Sequence, residues 1–172
     1  GMWKRGKKEI QYRGKPGERA YAIGDVHGCY DQLIEILRKI DAHNQSAPQK
    51  PTHIVFLGDL IDRGPNSRLV LEHLIQRSEK DPNMHFVKGN HEEAMLRGLR
   101  GEPDLLEPWL RHGGFETAAS YSIRRETLIG RPNAELEHLL ISAIPRRHLK
   151  FVATFSDSIR FGDYLFVHAG VR

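Results

Sequence analysis

Hydrophobic and polar positions in the first half of the chain change between two rhythms. Arg19–Ile23 (RAYAI) is a short apolar run of strand length. Residues 31–40 (DQLIEILRKI) then place Leu33, Ile36, Leu37 and Ile40 on one face of a predicted helix, with Asp31 positioned to cap it. The polar, proline-containing stretch that follows reads as a loop. Residues 53–57 (HIVFL) form a continuous apolar run, the kind a strand shows when both its faces are covered. A second helix is predicted over GPNSRLVLEHLIQRSE, with proline near its start and Leu71, Leu74 and Ile75 spaced for burial. Asp81-Pro82 stops it, and residues 85–88 (HFVK) supply a third strand. Strand, helix, strand, helix, strand at these spacings predicts a parallel α/β sheet with right-handed crossovers.

The rhythm changes after residue 91. EEAMLRGL, DLLEPWLRH and AELEHLLISAI have helical spacing and form a predicted helical insert, interrupted at Gly113-Gly114. DSIRFGDYLFVH alternates and turns at Gly162-Asp163, a two-residue loop suited to an antiparallel hairpin. Two sheets are therefore expected rather than one.

Each of the three predicted parallel strands ends in the same outline: apolar run, glycine, polar residue. AIGDVHG contains Asp25 and His27, FLGDLIDRG contains Asp59, Asp62 and Arg63, and FVKGNHEE contains Asn90 and His91. Ligands of parallel α/β sheets bind outside the carboxyl ends of the strands, so these segments should meet in one crevice. One Gly-Asp after a strand is an ordinary turn. Three in register, with His168 in LFVHAG at a fourth strand end, point to a metal centre. Carboxylate, imidazole and amide donors without thiolate suit manganese, iron or zinc and do not resemble a four-cysteine structural zinc site.

Charge and composition narrow the setting. The net charge is +4, yet residues 1–19 alone carry seven Lys or Arg against two Glu, leaving the other 153 residues at −1. The basic character belongs to a leading tail, residues 1–18, expected to be poorly ordered, and residues 19–172 form the single expected domain. A nucleic-acid partner is not expected, because no basic face is assigned to that domain. No apolar run is long enough for a membrane span, and the single cysteine, Cys29, leaves no internal disulfide. Cytoplasm is the expected compartment.

The four blocks GDVHG, GDLIDRG, GNHE and HAG resemble those of the calcineurin-like metallophosphoesterases, most closely the phosphoprotein phosphatase branch, which includes bacterial serine/threonine phosphatases and symmetrical diadenosine tetraphosphatases. The resemblance implies a two-sheet β-sandwich flanked by helices, four layers in all, and two divalent metal ions, manganese first with iron or zinc as alternatives. By motif position, Asp25 and His27 would hold the first metal, Asp59 would bridge both, and Asn90 and His168 would hold the second. His91 would be the general acid oriented by Asp62, and Arg63 would bind phosphate. The expected reaction is hydrolysis of a phosphate monoester by a metal-bridging hydroxide, the substrate a phosphoserine or phosphothreonine protein or a small phosphoester. Symmetrical hydrolysis of diadenosine tetraphosphate and a non-catalytic scaffold are the alternatives, and the oligomeric state is left open. The family pattern continues past Arg172 with further strands, another ligand histidine in a GH block and usually a second phosphate-binding arginine. The chain is therefore expected to be C-terminally incomplete. Among the remaining candidates, His112 lies where similar phosphatases carry Asn near the site mouth. His43, His53, His73, His85, His138 and His148 fit no motif and are expected at the surface or in packing. Glu92 and Glu93 suit the first turn of a helix electrostatically.

Overall fold

The computed structural model describes residues 14–168. The expected tail therefore lies outside the described residues over 1–13, as do Ala169 and Gly170 of the HAG block. Three strands, β1 (Arg19–Ile23), β2 (Thr52–Phe56) and β3 (Met84–Phe86), form a parallel sheet with β2 in the centre. Helices α1 (Tyr30–Ser46) and α2 (Ser67–Lys80) make the two crossovers. The helical insert runs through α3 (Asn90–Leu99), α4 (Leu106–Trp109), a π turn (Leu110–Gly114), α5 (Phe115–Ser120), α6 (Arg125–Leu128), α7 (Asn133–Ala143) and α8 (Arg146–Ala153). Strands β4 (Ser158–Phe161) and β5 (Tyr164–Val167) then form the expected antiparallel hairpin, turning at Gly162 with φ of 58°. No helix among the described residues is long and apolar enough to cross a membrane.

β2 is apolar because it is the covered central strand: Ile54, Val55 and Phe56 are buried. The Phe56 ring stacks on Phe86, which stacks in turn on Phe155, with centroids 5.2 and 5.1 Å apart. Offset aromatic pairs of this kind add to the gain from buried area. The hairpin reaches the parallel sheet through Phe161, whose ring lies 5.4 Å from that of His53.

Four local expectations are corrected. Asp31 does not cap α1; the N-cap position is Cys29, and Asp31 lies in the first turn. The loop that ends at Gly28 hands the chain straight into the helix, which starts a residue before Asp31. The stretch after residue 40 is helical as far as Ser46. Its polar side chains find tertiary partners there: Asp41 accepts from Arg77 at 2.6 Å, and Asn44 accepts from Arg19 at 2.8 Å. Ile36 faces outward, 40% exposed, while Leu33, Leu37 and Ile40 carry the buried face. The third strand ends at Phe86: Val87 N–H still donates to the Phe56 carbonyl of β2, while Lys88 N–H donates to Ser156, ahead of β4. Helix α8 has no counterpart in the reading above, since its opening Arg-Arg-His disguises a turn that buries His148 and Val152.

Candidate metal and phosphate site

The sheet delivers its three loops to one rim. Backbone N–H groups of Val26 and His27 donate to the Asp59 carbonyl, and Gly28 N–H donates to that of Leu60, so the first two loops are hydrogen-bonded to each other. The third loop is pressed against the second. A Cβ on Gly89 would lie 2.2 Å from the Asp59 nitrogen, and one on Gly58 would lie 2.7 Å from Gly89. Gly58 also has φ of 100°, which disfavours a side chain. The glycine that recurs at the strand ends is thus a condition of close loop approach. Of six non-glycine residues with positive φ among the described residues, four are His27, Asp59, Asp62 and Arg63. Strained backbone concentrated in one crevice is characteristic of functional sites.

Asp59 is the hub. It is buried, with Oδ2 3.0 Å from His168 Nε2 and 3.9 Å from His27 Nε2. Asp25 Oδ2 lies 3.6 Å from His27 Nε2. Ligand atoms of Asp25, Asp59 and His168 lie within 4.8 Å of one another, as do those of His27, Asp59 and His91. The tautomers follow from the outer hydrogen bonds. His168 Nδ1 is 2.7 Å from the Leu57 carbonyl and His27 Nδ1 is 2.9 Å from the Ile61 carbonyl. A carbonyl can only accept, so each Nδ1 carries a proton and each Nε2 is the ring atom turned toward Asp59. At 3.0 Å, Nε2 and the carboxylate need a proton or a cation between them. Two donors each about 2.1 Å from one ion, at right angles, would be about 3.0 Å apart. The donor set therefore fits divalent metal, and the backbone carbonyls behind the imidazoles act as orienting partners.

Asp62 is wholly buried yet satisfied. It accepts from Trp109 Nε1 at 2.8 Å, Thr117 Oγ1 at 2.5 Å and His91 Nδ1 at 2.7 Å. Its own N–H donates to Ser67 and Thr117. The His91 bond raises the pKa of that imidazole, helped by the charges of Asp62 and Asp59 and opposed by burial. Arg63 is exposed beside this pair, its backbone N–H held by the Gly113 carbonyl at 3.1 Å. Asn90 begins α3, and Asn90, His91, Arg63 and His112 line one cleft of about 350 Å³. The imidazole of His112 is engaged elsewhere, its Nδ1–H donating to the Pro108 carbonyl at 2.6 Å.

Glu92 lies in the first turn of α3, as expected, and is also fully buried there. Its carboxylate accepts from the N–H groups of Asp59 at 2.8 Å, Gly89 at 3.0 Å and Leu60 at 3.1 Å, joining the second loop to the third. Burial pushes its pKa up to about 7, against those hydrogen bonds and with the Asp59 and Asp62 charges. So much buried negative charge is a second reason to place a cation here. Trp109 and Thr117 were missed, and no local signal marks them, because they reach Asp62 across 47 and 55 residues.

With this geometry in place, the chain matches the calcineurin-like phosphoesterase family over residues 19–171. It belongs to that family. The calcineurin-like phosphoesterase fold follows for this chain, and the family normally holds two divalent ions. The chain is 30% identical over 157 residues to the asymmetrical bis(5'-nucleosyl)-tetraphosphatase PrpE of Bacillus velezensis, covering 87% of this chain and 55% of that one. It is 40% identical over 114 residues to a symmetrical bis(5'-nucleosyl)-tetraphosphatase of Escherichia coli, covering 63% of this chain and 38% of that one. A crystal structure of a proposed diadenosine tetraphosphatase superposes with TM-score 0.51 at 22% identity, over 90% of this chain and 55% of that one. The chain thus spans about half the length of the curated relatives it matches.

Proposed function

We propose that this protein is a metal-dependent hydrolase of dinucleoside tetraphosphates, and that the rim residues act in the roles their motifs imply. The observation that carries the chemistry is the His91–Asp62 pair beside the Asp59 hub. The names of the curated relatives support the dinucleotide over the phosphoprotein expected from sequence. Divalent ions held by Asp25, His27, Asp59, Asn90 and His168 would lower the pKa of a water to about 7 and draw charge from the phosphoryl oxygens.

The chain's own residues do the rest. Asp62, locked by Trp109 and Thr117, accepts a hydrogen bond from His91 Nδ1–H and keeps the ring from turning. The other ring nitrogen is then the one free to give a proton to the departing oxygen. The raised pKa keeps that proton in place further toward neutral pH. Arg63 presents a planar guanidinium that can grip two phosphate oxygens. Closely packed loops hold these groups in register without reorganisation during the reaction.

Turnover of diadenosine tetraphosphate, a phosphoserine peptide and p-nitrophenyl phosphate, measured with Mn²⁺, tests the reading. Preference for the dinucleotide supports it; preference for the phosphopeptide would return the assignment to protein phosphatase. Metal-replete protein that turns over none of the three would favour a scaffold. His91→Asn is expected to retain Mn²⁺ binding and lose about 10²–10⁴-fold in rate. Wild-type turnover in that variant would remove His91 from its role.

A further inference from the structure

Resting on the dinucleotide reading, we propose that a cavity on the far side of α4 receives the second nucleoside-phosphate end of the substrate. Three cavities follow one another around α4 and the π turn. The cleft containing Arg63 and His91 shares Pro108 and His112 with a second cavity of about 530 Å³. That one shares Glu107, Arg111 and Arg131 with a third, of about 450 Å³. The first and third flank the same helix, whose diameter is about 10–12 Å. A polyphosphate chain passing over the ridge at Pro108 and His112 would connect them.

The lining of the third cavity has the chemistry of a nucleotide end. The central carbon of the Arg125 guanidinium lies over the Phe115 ring, 4.3 Å from its centroid. Phe115 is nearly covered while Arg125 is exposed, so a planar base can stack on the solvent side of the guanidinium. Ile129, 57% exposed, stands at the rim as an apolar wall with Leu128 behind it. Arg111 and Arg131 supply positive charge for phosphate, although each already has a carboxylate neighbour, Glu107 and Glu135. Arg125 has no ion-pair partner among the described residues, so its charge is available.

Titration of the metal-loaded protein with the fluorescent nucleotide mant-ADP decides the matter. Arg125→Ala is expected to raise the Kd at least tenfold, and Arg125→Lys, which keeps charge but not the plane, to recover part of that loss. Equal Kd values for wild type and both variants would overturn the proposal. Arg125 is exposed near the start of a short helix, and a circular dichroism melt matching wild type excludes misfolding as the cause. Turnover separates this inference from the assignment beneath it. Arg125→Ala should lower the ratio of kcat/KM for diadenosine tetraphosphate to that for p-nitrophenyl phosphate at least tenfold; a ratio within twofold of wild type counts against the pocket. Wild-type protein that hydrolyses only p-nitrophenyl phosphate would refute the dinucleotide reading, while the mant-ADP comparison would still judge the pocket.

Discussion

At the scale of single residues, Glu92 does more than its position in the sequence suggests. Its two oxygens tie Asp59, Leu60 and Gly89, so the hub carboxylate of the second loop and the start of α3 are set by one buried side chain. An acid held near a pKa of about 7 by burial would ionise more readily with a cation beside Asp59. Metal affinity should depend on it although it is not placed as a ligand. Glu92→Gln keeps one acceptor oxygen but turns an NH₂ group toward a backbone N–H. The expected outcome is a 10–100-fold weaker Mn²⁺ Kd with near-native circular dichroism. Unchanged affinity would reduce Glu92 to a packing residue.

At the scale of elements, the insert is fastened to the sheet crossover by a polar chain. Glu72 on α2 accepts from His148 at 2.9 Å and pairs with Arg147, both on α8, while the Tyr121 hydroxyl, after α5, is hydrogen-bonded to His148 Nδ1 at 2.7 Å. Hydrogen bonds from Arg147 and His148 hold the Glu72 pKa down to about 2, from an ordinary 4.5. A depressed carboxylate pKa stabilises the fold above the ordinary value, and that contribution is lost as pH falls through about 2. Glu72→Gln should therefore lower Tm by about 2–4 °C at pH 7, with the gap closing as pH falls from about 5 toward 2. A gap independent of pH would show that shape rather than charge carries the link.

At the scale of the whole molecule, the sequence made the frame legible and hid its supports. Apolar runs and their glycine endings announced the β1-β2-β3 sheet, because a covered parallel strand has few ways to be written. The same endings led to a rim where Asp25, His27, Asp59, His91 and His168 do meet. The end of α1 was illegible because its polar last turn depends on Arg19 and Arg77 from other elements. The support of Asp62 was illegible because Trp109 and Thr117 arrive from the insert, where spacing speaks only of helices. Local pattern reports what a residue covers, not which distant polar atom it will meet.

The central claim is that these strand ends gather donors around a cation with Asp59 at their centre. Calorimetric titration of Mn²⁺ into chelator-treated protein, wild type beside Asp59→Asn, tests it most directly. The account predicts saturable binding by the wild type and at least tenfold weaker binding by the variant. Wild-type protein that takes up no Mn²⁺, or a variant that binds it as tightly as wild type, would contradict the account.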